Sequence, residues 1–455
     1  MTILLFGIGF AVACLAALRW PVVGVLAYMA NYIIAPEKQW WGEPLRDIGV
    51  RFSFYLALFT AIGLVLQWQE MKAKLAGAFW HSQEILIGAF VAVILLSRVW
   101  GVAIDLTARD LSGTSETPAE KIPKVALFVL IMSHSLLSSR EVRWAFLLLI
   151  LVGGLYLGVD AYTASPSRYV HGRLDALGGT DFRESSAVAA HLALVAILTG
   201  VYFLHTPKWW VKGACLVAGG FIVNAIILTQ TRAAMLGLLA GAIAAFLLAR
   251  RGERMRICVY SAVALVAALA LTNRAFWSRA ESIAVSEEQL DGAAVARLDV
   301  WHAGLAMWQD NPLGVGAGSF YTTVGLYDPA YTGRDCHNTY IRCAAELGFP
   351  GLLVLGALIF NAFRTLRRAP RLAMGTPIEH DLWWYCYAMQ VGLVAYLTAG
   401  IFMGLTYIEG FWWFLCLPVC LERAALSARA EQANAEPVYD ETHGDGVVAE
   451  SLVYG

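Results

Sequence analysis

Long apolar runs follow one another along this chain, separated by short polar connections, and nothing else in it constrains the fold as strongly. A helix needs roughly 20 mainly apolar residues to cross a bilayer. Runs of that kind lie near 3–18, 20–35, 52–68, 85–102, 122–138, 142–160, 186–204, 210–230, 233–249, 257–272, 340–363, 382–403 and 407–422. The expected fold is an all-α polytopic membrane protein with about 12–13 transmembrane helices. Composition agrees: 59% of the 455 residues are hydrophobic and only 15% charged, against about 25% charged in soluble proteins. An ordinary cytosolic enzyme, a disordered chain and a small disulfide scaffold are excluded. With 33 basic and 34 acidic residues there is no global basic field, and no nucleic-acid partner is expected. The eight cysteines follow no metal or disulfide spacing. The first run lacks a basic leader and a small-residue cleavage site, so it reads as a retained helix. Arg19-Trp20-Pro21 reads as either a tight loop or a kink.

Lysine and arginine set the orientation. Arg250, Arg251, Arg254 and Arg256 crowd one connection, and Arg364, Arg367, Arg368 and Arg371 another. Two spans separate them, so both face the cytoplasm, and the same parity puts Lys72/Lys74, Arg140/Arg143 and Lys208/Lys212 there too. About 36–51, 105–121, 160–184 and 273–338 are left outside. The last is long enough to be functional or to carry its own structure. The chain divides into N-terminal helices (1–160), central helices with outward arginines (161–272), the large outer loop (273–338), C-terminal helices (339–423) and an acidic tail (424–455) expected to be disordered in the cytoplasm.

Within the large loop, 293–309 has helical periodicity, with Val300, Gly304, Met307 and Trp308 on one face. Its tryptophans suit a helix at the lipid–water boundary. Asn311-Pro312 ends it, and the glycine run 313–318 follows. No strand precedes that run, so a dinucleotide loop is rejected in favour of a tight turn whose backbone can approach a ligand. Asn338 is a suitable N-cap for the next helix. His337 then stands at a helix N-terminus, a place that disfavours imidazolium and attracts phosphate. The bland reading of a lone histidine is a hydrogen-bonded packing residue. His302 lies in the same loop, but no carboxylate or thiol spacing supports a metal pair, and no metal or cofactor is expected.

Arg232 sits between two apolar runs with almost no loop, so its guanidinium lies at or just inside the membrane edge. An ionisable group at that depth is a functional candidate, with snorkelling to headgroups as the plainer alternative. Arg173 and Arg183 add two outward cations. Three arginines and a histidine on one side suit phosphate oxygens, and a lipid-linked diphosphate is what reaches that depth from the bilayer.

At these residues the sequence resembles the O-antigen ligase/polymerase superfamily. The resemblance rests on Arg297-x3-Trp301-x10-Pro312-Leu313-Gly314-Val315-Gly316-x-Gly318-x-Phe320, then His337-Asn338-x-Tyr340, Glu346-Leu347-Gly348 and Gly351, with Thr231-Arg232 opening a helix upstream. Asn31-x4-Pro36 and Trp40-Trp41-Gly42 are similar to the subgroup of O-glycosylation ligases associated with exosortase systems. The resemblance implies a GT-C-like, metal-independent inverting glycosyltransferase of the inner membrane. Such a protein moves a glycan from undecaprenyl diphosphate to an acceptor hydroxyl on the periplasmic face, the acceptor being lipid A core, protein or glycan. His337 would be the general base or would orient the acceptor. Arg232 would bind the diphosphate with Arg173 or Arg183, supported by Arg297, Asn338 and Tyr340. Where the family shows arginine closely followed by glycine and an asparagine-containing stretch, this chain has Arg173-x4-Gly178-Gly179 and then Arg183 with no asparagine, so both arginines are carried. A polysaccharide polymerase differs only in acceptor, and the mixed charge of the one long loop favours a ligase. A transporter or flippase should show internal repeats and polar or broken helices near midplane, and neither is evident.

Overall fold

A computed structural model describes residues 2–75, 79–101, 116–170, 172–182, 184–270, 272 and 292–435. The helices, in order, are α1 (Thr2–Arg19), α2 (Pro21–Ile34), α3 (Glu43–Ile48), α4 (Phe52–Leu66), α5 (Trp68–Lys74), α6 (Ser82–Trp100), α7 (Pro118–Ser135) and α8 (Ser139–Tyr162). They continue with α9 (Ser185–His205), α10 (Trp209–Thr229), α11 (Arg232–Leu248), α12 (Arg254–Ala270), α13 (Gly292–Asp310), α14 (Phe320–Tyr327), α15 (Thr339–Leu372), α16 (Glu379–Ala399) and α17 (Glu409–Ala435). One antiparallel hairpin, β1 (Tyr169–Val170) with β2 (Arg173–Leu174), interrupts them. The protein is an all-α polytopic membrane protein.

Among the described residues seven helices are long and apolar enough to cross a membrane: α1, α6, α8, α9, α10, α15 and α17. The pair α4–α5, bent by 79°, makes an eighth if it is one span, and α11 is a shorter apolar helix. The other apolar runs form helices that are shorter, such as the 14-residue α2, or that carry charge at one end, such as α16 with Glu379 and Asp381. Pro21 opens α2 after Trp20, and α1 packs back against α2, so the Arg19-Trp20-Pro21 junction is a tight turn. The helix of α17 runs well past residue 424, where the tail was expected to begin: Ala424, Ala425 and Ser427 are buried and continue its packed face. Residues 436–455, the rest of that tail, lie outside the described residues.

Burial sorts the helices by role. Rows of apolar side chains on α1 (Leu4, Leu5, Ile8, Val12) and α12 (Val259, Val263, Val266) face outward, as lipid contact requires. α9 is enclosed on nearly every side, and its small residues Ala187, Ala189, Ala190 and Ala193 let α10, α11 and α16 come close. Gly237 and Gly241 do the same for α11 on α16. A Cβ at Gly237 would stand 2.6 Å from the Ala395 carbonyl oxygen. This contact fixes where the N-terminus of α11, and so Arg232, lies relative to the C-terminal end of α16. That end in turn receives α15, because the Thr339 amide donates to the Gly400 carbonyl at 2.9 Å.

α15 is two helices joined at Gly348, whose φ of +63° and ψ of −157° leave the helical region ahead of Pro350. The break frees carbonyls that need donors. The glycine run supplies them: Val315 N–H donates to Ala345 O and Gly316 N–H to Glu346 O, both at 2.9 Å, while Phe349 N–H donates back to Pro312 O at 2.9 Å. The turn at 313–318 therefore brings its backbone against the broken helix, where a ligand approach was expected from sequence. A Cβ at Gly314 would lie 2.4 Å from the Glu346 carbonyl oxygen.

α13 covers 293–309 as expected. Val300, Gly304 and Met307 are buried, with Gly304 against Ile341 and Phe320. The two tryptophans are half-buried and have protein partners. Trp301 donates to the Cys336 carbonyl at 2.9 Å and its ring meets Phe402, while Trp308 meets Phe349. The apolar stripe was consumed by α14 and α15.

Candidate active site

The site is built on the N-terminus of α15. Asn338 caps it, its side-chain oxygen accepting from the Tyr340 and Ile341 amides at 2.9 and 3.0 Å. To reach the cap the chain turns through His337, which takes a left-handed φ of +45°. Histidine is one of the few non-glycine residues enriched there, and such strain gathers at functional sites. Cys336 on one side is fully buried and Asn338 on the other is fixed, so the conformation is imposed from both flanks.

The His337 ring remains about one third exposed, with Nδ1 3.5 Å from Asp335 Oδ2 and 4.0 Å from Glu184 Oε2. Asp335 is held in turn by Arg342, whose Nη1 donates to Oδ1 at 3.1 Å. The Nε of Arg342 donates to Glu346 at 3.1 Å, and its guanidinium lies between the rings of Tyr321 and Tyr407, 5.2 and 5.0 Å from their centroids. Glu346 is wholly buried. It accepts from the Gly318 and Phe320 amides at 3.0 and 3.2 Å and from the Tyr407 hydroxyl. The network is closed: each buried charge has an opposite charge and further hydrogen bonds, the condition under which buried ion pairs are tolerated. Burial pushes the Tyr321 hydroxyl up despite the neighbouring Arg342.

A second polar knot lies at the same end of the bundle. Asp181 accepts from Lys121, from the Tyr32 hydroxyl and, at 2.8 Å, from the Glu409 amide. Burial alone would raise the Asp181 carboxyl. The Lys121 charge, with the hydrogen bonds from Lys121, Tyr32 and Glu409, holds it below its usual value. The knot pins the 160–184 segment onto α2, α7 and α17 and thereby positions Glu184, which precedes α9, beside His337.

Arg232 is half-buried at the first position of α11, behind Thr231. The chain of contacts Gly237–Ala395 and Gly400–Thr339 sets it at the same end of the bundle as His337. Arg173 is half-buried in β2, which packs against α10, the helix that leads into Arg232. The loop carrying Arg173 is tied down by Arg168, which donates to both oxygens of Asp160 at 2.8 and 2.9 Å. Arg183 lies outside the described residues. Arg297 is half-buried on α13, His302 is exposed on the same helix, and the Tyr340 hydroxyl donates to the Leu397 carbonyl at 2.9 Å. Tyr340 thus ties α15 to α16 and Asn338 caps α15.

Sequence reasoning missed Asp335, Glu184, Arg342 and Tyr407 as parts of the site and used Glu346 only as a motif letter. One signal was available. Arg342 and Glu346 are ionisable, four apart and at the head of an apolar run, which marks a paired, functional or architectural site by default. Glu184 and Tyr407 join only through tertiary folding and carry no local signal.

No curated protein matches the chain. Residues 217–356, which hold Arg232, Arg297, the glycine run, His337 and the broken helix, match the family model described as O-antigen ligase, which supports assigning the chain, through this segment, to the O-antigen ligase/polymerase superfamily.

Proposed function

We propose that the chain is a membrane glycosyltransferase that moves a glycan from undecaprenyl diphosphate to an acceptor hydroxyl on the periplasmic face of the inner membrane. The observation that carries this reading is His337: strained, partly exposed, with a carboxylate at Nδ1, at the same end of a membrane bundle as Arg232 and Arg173. With Nδ1–H turned to Asp335, Nε2 is left to accept a proton, and a positioned base contributes about 10²–10⁴-fold. The acceptor oxygen attacks the anomeric carbon, its proton passes to His337 Nε2, and the bond to the diphosphate breaks with the electron pair leaving on the diphosphate. Attack opposite the leaving group inverts the anomeric centre. Arg232, with Arg173 or Arg183, stabilises the charge on the departing diphosphate, the role that makes electrostatic preorganisation effective in a water-poor site. Asp335 orients the imidazole, and the Arg342–Glu346 pair holds Asp335.

The acceptor is lipid A core or a protein hydroxyl for a ligase, and a growing glycan for the polymerase alternative, which uses the same residues. Purified protein in detergent, given lipid-linked glycan and each acceptor, should release undecaprenyl diphosphate only when an acceptor is present. Release should be lost in His337→Ala and Arg232→Ala and should survive EDTA. Turnover by both variants at the wild-type rate would defeat the site assignment, and a donor that changes leaflet uncleaved when the same protein is reconstituted in liposomes would bring back the transporter reading.

A further inference from the structure

At the end of the bundle opposite His337, three metal-type side chains meet that take no part in the chemistry above. His205 is the last residue of α9, and His380 and Asp381 lie in the first turn of α16. We propose that these three residues bind a zinc ion that clamps α9 to α16.

The geometry is close to that of a three-ligand zinc site. One ligand atom from each residue lies within 4.8 Å of the other two. His205 Nε2 stands 3.1 Å from Asp381 Oδ1, and His380 Nδ1 3.9 Å from the same oxygen. Tetrahedral zinc at about 2.0–2.1 Å from nitrogen or oxygen keeps its ligand atoms roughly 3.3 Å apart. The His205–Asp381 edge already has this length, and only the imidazole of His380 has to swing inward. That ring is 69% exposed and must give up the hydrogen bond its Nε2 accepts from Trp384 Nε1 at 3.3 Å, whereas His205 is 11% exposed and packed against Trp384 and Tyr385. The two better-fixed ligands project from helices packed directly on each other, so their separation is set before any ion arrives.

The donor set selects the ion class. Two imidazoles with one carboxylate suit zinc and its borderline neighbours, whereas magnesium and calcium take oxygen ligands. Three protein ligands leave a fourth position for water. The positive charge of Arg143 acts on Asp381 and opposes a cation there, so its removal should tighten binding. α9 has 21 residues, which puts the clamp about 30 Å from the His337 end. The ion is therefore architectural, and the proposal stands apart from the transfer reading.

The test uses full-length protein purified without a polyhistidine tag. After gel filtration with zinc, elemental analysis should give one equivalent per chain, and cobalt in its place should give the visible bands of a four-coordinate site. His380→Ala removes an exposed ring and leaves the fold intact; it and Asp381→Asn should weaken zinc binding at least tenfold and abolish the zinc-dependent rise in melting temperature. Arg143→Ala should strengthen binding. Zinc retained equally by wild type, His380→Ala and Asp381→Asn, or no zinc retained by wild type, would overturn the proposal and leave a His205–Asp381 ion pair alone.

Discussion

Gly348→Ala tests the joint between the glycine run and the broken helix without reference to any activity. An alanine Cβ there would stand 2.2 Å from Pro312 O, 2.4 Å from the Leu313 carbonyl carbon and 2.6 Å from its Cα. All three are backbone atoms, so no side chain can rotate out of the way. Left-handed backbone adds about 1–2 kcal/mol for a residue with a Cβ. If the 312–316 segment is pushed off, the hydrogen bonds from Val315, Gly316 and Phe349 go with it. At roughly 0.5–1.5 kcal/mol each, these bring the loss to about 3–6 kcal/mol. Gly356, in the second half of the same helix, is the control, because a Cβ there meets nothing within 4 Å; Gly356→Ala should be neutral or stabilising by up to about 1 kcal/mol. The assay is thermal unfolding in detergent, paired with maleimide labelling of Cys336 in a Cys258→Ser background, since Cys258 is exposed and Cys336 fully buried. Gly348→Ala should melt well below the control and label at Cys336. If the two alanine variants melt together and Cys336 stays protected, the joint does not hold the loop.

Asp335→Asn should retain the fold and lower acceptor-dependent transfer by about 10²-fold or more, with an altered pH–rate profile; an unchanged profile would remove Asp335 from the positioning of His337. Arg342→Lys should lose at least one of the contacts to Asp335 and Glu346, because an ammonium lacks the planar fork, and thermal unfolding would show a loss of roughly 3–5 kcal/mol for breaking a buried pair. Asp181 has a folded value below its ordinary 3.8, so it contributes stability above that value, which is lost as pH falls through the lowered one. Lys121→Met removes the main charge holding it down and should shift the acid-unfolding limb to higher pH; an unshifted limb would refute the pairing.

Sequence periodicity located most helices because lipid and core demand the same apolar residues along each run. It could not separate full spans from shorter helices or from those with charged ends, because apolarity is shared by lipid-facing α1 and by α17, whose burial comes from other helices. α17 also outlasts its apolar run, since Glu422, Arg423 and Ser427 are buried against partners at the opposite end of the bundle, Arg423 reaching Glu84 at 2.8 Å. The N-cap at Asn338 and the end of α13 at Asn311-Pro312 were legible because capping is local. The glycine run was legible as a turn, but its partner was not: nothing local reveals that it meets the broken backbone at Gly348. The carboxylates around His337 come from 184 and 335, and only the second stands near it in sequence.

The separations within the two polar knots bear on how the protein is made. Tyr407 reaches back 61 residues to Glu346, and the Glu409 amide reaches back 228 residues to Asp181. Both knots remain open until the segment leading into α17 has left the ribosome. A chain stalled after α16 has Arg173, Arg232 and His337 in place along the sequence, yet Glu346 lacks one donor and the 160–184 segment lacks one of its anchors. Maturation of this bundle is thereby tied to completion of its last helix, and half-made chains should be handled by the cell as unfinished membrane proteins.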